Sequence, residues 1–274
     1  MYSRQASELV IDLLDASADP HNLTHTYDRY PECLITAVTY GRITRRDGDP
    51  VLDRLHEIAN IINHVITAEK AALLRAFPFL EKLPAWCFSR DYALLGRSRE
   101  LCQQLLNEPF KEVKEQMAAD TASQSLVADF LSQADDDADE DMIKAIALTG
   151  SLAGSAALSR GEDQFPDASR FDPNRHLTMD GQLKDRHTGG LFVFGFGRRI
   201  CPGRWFAMGA LWIGVVVILS VLRIDHARDL NGKRIEVKLE FTTGVSVRPQ
   251  DFACSFESIN AARDEQLRAM MTLK

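Results

Sequence analysis

The chain has 274 residues, 45% hydrophobic and 26% charged, with a formal net charge of −7. That is the balance of an ordinary soluble globular chain, long enough for one large domain or two small ones, and it excludes collagen, coiled coil and wholesale disorder. The acidic balance argues against a sequence-independent grip on nucleic acid, which needs a basic surface to displace counterions. Arg45-Arg46 and Arg198-Arg199 are too short to reverse it, so no nucleic-acid partner is expected. The five cysteines (Cys33, Cys87, Cys102, Cys201, Cys254) are scattered and form no CxxC, which speaks against a disulfide framework or a structural zinc site. A reducing compartment fits them. The N-terminus has no apolar h-region, so no signal peptide is expected.

Along the chain, Leu9, Val10, Leu13 and Leu14 make an apolar stripe at helical spacing, stopped by Asp19-Pro20. A second helix is predicted from about Tyr27 to Tyr40, followed by a polar turn at Gly41 and Arg45 to Pro50. The next runs from about Val51 to Arg75, with Leu52, Leu55, Ile58, Ile62, Val65 and Ile66 on one side. Pro78 and Pro84 forbid a regular helix beyond it. The segment is rich in Phe, Leu and Trp, so it reads as a loop packed on apolar surface. A long helix follows from about Asp91 to Ala118. The acidic run Asp135 to Asp141 reads as a helix start before the apolar stretch Met142 to Ala157, since acids favour the positive end of the helix dipole.

The character changes near Ser159. From there to Gly203 the chain is rich in Pro, Gly, Asp and Arg, and so long an irregular stretch is often functional. An apolar helix from about residue 204 to 222 comes next. Its 15-residue core, Met208 to Leu222, is shorter than a membrane span needs, so it reads as a buried helix. Ile235 to Phe241 alternates in period two, Thr242-Thr243-Gly244 turns, and Val245 to Val247 returns as a hairpin. The charged tail after Asn260 reads as a frayed helix. His56 and His64 are eight residues apart on one predicted helix, too far for a shared metal, and read as ordinary surface or core residues.

The informative stretch is Phe192 to Gly203. Gly195 and Gly197 allow backbone conformations barred to other residues, or close approach to a flat partner. Arg199 offers a fixed charge with a planar fork suited to a carboxylate. Cys201 sits just before a long helix, whose free N–H groups and dipole stabilise a thiolate. Pro202 suits the first helical turn. A thiolate in an apolar, glycine-lined loop with a cationic neighbour is a soft ligand for a metal or a flat metal cofactor.

Phe194, Gly197, Arg199, Cys201 and Gly203 match F-x-x-G-x-R-x-C-x-G, and the chain thereby resembles the cytochrome P-450 haem-thiolate monooxygenases. Further segments are similar to fungal microsomal members. Phe165-Pro166-Asp167, Phe171, Pro173 and Arg175 resemble the segment ahead of the haem loop, where an arginine meets the K-helix Glu and Arg; His176 replaces the usual aromatic residue. Phe79 to Trp86 resembles the region between helices F and G, which faces membrane and substrate entrance, and Glu108-Pro109-Phe110 to Met117 the G helix that follows. Thr242-Thr243-Gly244 looks like the loop that dips into the substrate pocket. The resemblance implies a mainly α fold, an incomplete cytochrome P-450-type helical fold with a small C-terminal β-hairpin. Residues 1–157 would be the helical part from helix D to the start of helix I. Residues 158–274 would carry the haem-binding loop, the long helix and the hairpin.

It implies haem b as cofactor, with Cys201 as axial metal ligand and Phe194, Gly197, Arg199 and Gly203 as its surroundings: Phe194 packed on the thiolate side, Arg199 on a propionate. NADPH would act only through an electron-donor reductase, and the substrate would be an apolar small molecule. The family sits on the endoplasmic reticulum membrane. This sequence shows no anchor, so a cytoplasmic or peripheral location is expected, with Phe77 to Phe88 as the candidate membrane contact. Relative to the family, the N-terminal anchor, first strands and C helix have no counterpart. Ala153-Gly154-Ser155-Ala156-Ala157 begins the helix I pattern, but no acid–threonine pair follows, so no catalytic residue is identified. The K-helix E-x-x-R is also missing. Glu265-Gln266-Leu267-Arg268 lies after the haem loop and reads as coincidence, leaving Arg175 without such partners. Two readings follow: a haem-dependent monooxygenase, or a non-catalytic relic or incomplete gene product that keeps the loop. A third, a thiol redox or metal module at Cys201, lacks a resolving cysteine nearby.

Overall fold

A computed structural model of the chain describes residues 2–16, 21–45, 48–65, 72, 75–79, 90–133, 139–152, 172, 174, 177–182, 194–195, 197–238, 240–241 and 249–272. Among these residues lie eight helices: α1 (Tyr2–Ala16), α2 (His21–Tyr40), α3 (Pro50–Val65), α4 (Arg90–Ala118), α5 (Leu126–Gln133), α6 (Glu140–Leu152), α7 (Arg204–Val221) and α8 (Ala261–Thr272). Two strands, β1 (Leu222–His226) and β2 (Cys254–Ser258), pair antiparallel with Ile224 opposite Phe256. The fold is mainly α with a small antiparallel sheet, as expected. The chain divides into two compact units, Met1–Ser155 with Ala210–Lys274, and Ala156–Gly209.

Apolar positions at helical spacing build the first unit. Cys33 of α2, Leu52, Leu55 and Ile58 of α3, Leu101 and Leu105 of α4 and Leu148 of α6 form one buried cluster. Tyr40, Phe110, Val113, Val127, Ile143 and Ala147 form a second. The third joins the two ends of the chain: Leu9, Val10 and Leu13 of α1 meet Val221, Leu222, Phe256 and Leu267. Removing any one of the larger of these side chains costs about 2–5 kcal/mol.

The helix ends follow capping chemistry. Asp49 precedes Pro50 and accepts from Val51 N–H at 3.0 Å and Arg45 N–H at 3.0 Å, with the Arg42 guanidinium 3.5 Å away. Ser125 Oγ accepts from Ala128 N–H at 3.2 Å at the start of α5, and Asp139 Oδ1 from Asp141 N–H at 3.0 Å at the start of α6. Gly41 ends α2 with φ +67°, and a Cβ there would stand 3.1 Å from the Ser123 backbone oxygen, so turn and close approach both require glycine.

Several expectations need correction. Helix α2 starts at His21, not near Tyr27, although Asn22 and Thr24 are weak helix formers. Packing of α2 on α1 overrides that preference: Thr26 is buried and Arg29 pairs with Asp12 at 3.0 Å. Phe77 and Phe79 are exposed, meeting edge to face at 6.1 Å, rather than packed under a loop. The short helix α5 carried no long apolar period to announce it. Residues 235–238 form no strand; Ile235 N–H instead donates to Ala227 C=O at 2.8 Å. The hairpin expected there survives only as an antiparallel bridge between Phe241 and Pro249, and its turn at 242–248 lies outside the described residues. The sheet is built instead by β1 and β2, which no alternating pattern flagged. Helix α8 is seated, not frayed: Leu267 is buried in the third cluster and Arg268 pairs with Asp15 at 3.3 Å and Asp264 at 3.0 Å. Arg175 and the stretches 153–171 and 80–89 lie outside the described residues, as do residues 66–71 of the helix expected to reach Arg75.

The apolar helix α7 also departs from expectation. Only its Ala210, Gly214 and Val221 are buried. There the Tyr30 hydroxyl donates to Ala210 C=O at 2.9 Å, and the Tyr30 ring lies so close that a Cβ on Gly214 would stand 3.2 Å from it. The opposite face, including Trp205, Trp212 and Leu219, is open to solvent.

Gly214→Val should therefore lower stability by about 1–3 kcal/mol through overpacking against Tyr30, read as a fall in the urea midpoint at unchanged slope. Burial pushes the Asp49 carboxyl up, but the Arg45, Val51 and Leu52 N–H groups and Arg42 outweigh it and hold it below the usual carboxylate range. A depressed folded-state pKa stabilises above the unfolded value and is lost as pH falls through the folded one. Asp49→Ala should cost about 2 kcal/mol at pH 7, and the gap between variant and native stability should narrow below about pH 4.

Candidate functional site

The stretch around Cys201 folds as a closed turn in the second unit. Phe194 is half-buried and its carbonyl accepts from Cys201 N–H at 2.8 Å, closing the loop end to end. Inside it, Gly195 has φ +76° and Gly197 φ +61°, a left-handed backbone that a side chain disfavours. Gly197 to Arg199 make one 3₁₀ turn, tied by Ile200 N–H to Gly197 C=O at 3.2 Å. This is why the two glycines stand two residues apart: each reverses the chain once, and together they bring Cys201 back over Phe194.

The turn runs straight into α7. Arg204 N–H donates to Cys201 C=O at 3.4 Å and Ala207 N–H to Gly203 C=O at 2.9 Å. Cys201 thus lies at the N-terminal end of an 18-residue helix, where free N–H groups and the dipole favour negative charge. Its thiol is half-exposed. Gly203 stands beside it, and a Cβ added there would sit 3.9 Å from Sγ, so the space next to the sulfur is one a side chain would fill. Arg199 is exposed at the end of the 3₁₀ turn. Arg204, not singled out from sequence, lies with its guanidinium 5.1 Å from the Trp205 ring centre. Its only signal was a basic residue at the first position of the helix.

The other described cysteines are packed differently. Burial pushes the Cys33 thiol up to about 11, and burial also raises Cys102 and Cys254. These are neutral thiols set in core packing. His56 stands 3.7 Å from Glu32 on the neighbouring helix. The structure thus brings Phe194, Gly197, Cys201 and Gly203 together in one turn, with Arg199 on its rim. A soft sulfur donor, half-exposed and set at a helix start, is of the kind that iron accepts. The turn fits haem.

Residues 152–252 match the cytochrome P450 family. Part of the chain is similar to fungal cytochrome P450s. It is 37% identical over 108 residues to tryptamine 4-monooxygenase of Psilocybe cyanescens, covering 38% of this chain and 21% of that protein. It is 35% identical over 122 residues to cytochrome P450 monooxygenase ple1 of Rhodocybe pseudopiperita, covering 43% and 23%. A longer alignment with cytochrome P450 monooxygenase 98 of Postia placenta is 24% identical over 340 positions, covering 86% of this chain and 64% of that protein. The chain therefore spans less than two thirds of the length of these cytochrome P450 relatives. The 340 aligned positions also outnumber its 274 residues, so part of the Postia protein faces gaps inside this chain. The family match contains the closed turn, α7 and β1.

A side chain at Gly197 meets no atom within 4 Å, so Gly197→Ala tests backbone conformation alone. The left-handed position should cost about 1–2 kcal/mol. Amide exchange at Ile200 and Cys201 should then speed about tenfold, while exchange in α3 stays as it was. Unchanged protection at Cys201 would show that the turn does not need the left-handed backbone.

Proposed function

We propose that Cys201 is the axial thiolate ligand of a b-type haem. The chain would then be the haem-binding part of a monooxygenase that inserts one oxygen atom of O2 into an apolar organic substrate. The observation that carries this reading is the half-exposed Cys201 thiol in the closed turn, beside the Gly203 space and at the start of α7.

Each residue has a distinct part. The first turn of α7 sets its free N–H groups at the end of the helix that carries Cys201. Gly197 supplies the left-handed backbone that closes the turn, and Gly203 leaves the sulfur's flank open to a planar ring. Phe194, half-buried, would pack on the thiolate side of the haem. Arg199, exposed on the rim, offers its fork of donors to a carboxylate such as a haem propionate. Haem held there by Cys201 would supply oxygen activation, a cysteinate being the ligand type that favours O–O cleavage. Electrons would come from a reductase that uses NADPH, and the working site would be the endoplasmic reticulum membrane, as the fungal relatives suggest. Residues 1–157 would act as the helical body and 158–274 as the ligand-bearing part.

Express the chain, add hemin, reduce it and record the carbon monoxide difference spectrum. A stoichiometric band at the long wavelength of thiolate ligation is expected, lost in Cys201→Ala and reduced in Arg199→Ala. An unchanged spectrum in Cys201→Ala would overturn the ligand assignment. No band with the native chain would favour the reading as a relic that keeps the turn without the cofactor.

A further inference from the structure

We draw no further inference here: the strongest candidate, the polar seam between α1 and α2 lined by Gln5, Asp12, Thr26, Arg29 and Cys33, carries nothing, because its gap is too tight to admit even a water molecule and nothing in the structure shows what it would hold.

Discussion

The contact of Tyr30 with α7 is the constraint on which the last third of the fold depends. Helix α7 has no polar face to orient it, so hydrophobicity alone would let it roll. One ring and one hydroxyl remove that freedom. The Tyr30 hydroxyl donates to the Ala210 carbonyl at 2.9 Å, and the ring occupies the space a Cβ on Gly214 would need. With Ala210 and Gly214 turned inward, Val217, Ile218 and Val221 follow onto the core at helical spacing. The chain then leaves α7 directly into β1, Ile259 N–H closes onto Val221 C=O at 2.8 Å, and β2 and α8 are placed against α1.

The same roll exposes the opposite face. Trp205, Trp212 and Leu219 are outside because Ala210, Gly214 and Val221 are inside. Burying the small residues and exposing the large ones is costly for a lone chain, since each large apolar side chain left in water forgoes about 1.5–3 kcal/mol. The first unit compensates through its three core clusters and its charged links between helices, such as Arg29 with Asp12 and the two-pronged Arg97 with Glu57 at 2.9 and 3.1 Å.

The Cys201 turn answers a different demand. Its closure is local: two left-handed glycines, one backbone hydrogen bond from Cys201 to Phe194 and a helix start. Nothing distant in sequence is needed to shape it, which is why its motif was readable from spacing. The match of residues 152–252 to cytochrome P450 includes this turn. The order of residues in the turn, aromatic, glycine, cation, sulfur, glycine, is an order of chemical tasks. Each task is set by the side chain present or absent at one position.

Local features follow from the order of residues alone. Apolar residues placed the long helices α1, α3 and α7, and the acidic run Asp135 to Asp141 marked the start of α6. Glycine identity at 195 and 197 and the position of Cys201 before a helix marked the turn. Features that depend on partners far along the chain emerge from packing. Strand β1 pairs with β2 across the intervening residues 227–253, so Leu222–His226 needed no alternating pattern of its own. Packing against α1 extended α2 back to His21, and Leu267 turned a charged tail into a seated helix. Which face of α7 meets the core was set by a tyrosine 180 residues away in sequence. Period and backbone preference are carried by neighbouring residues, whereas burial and pairing are fixed by contacts that exist only after the chain has folded.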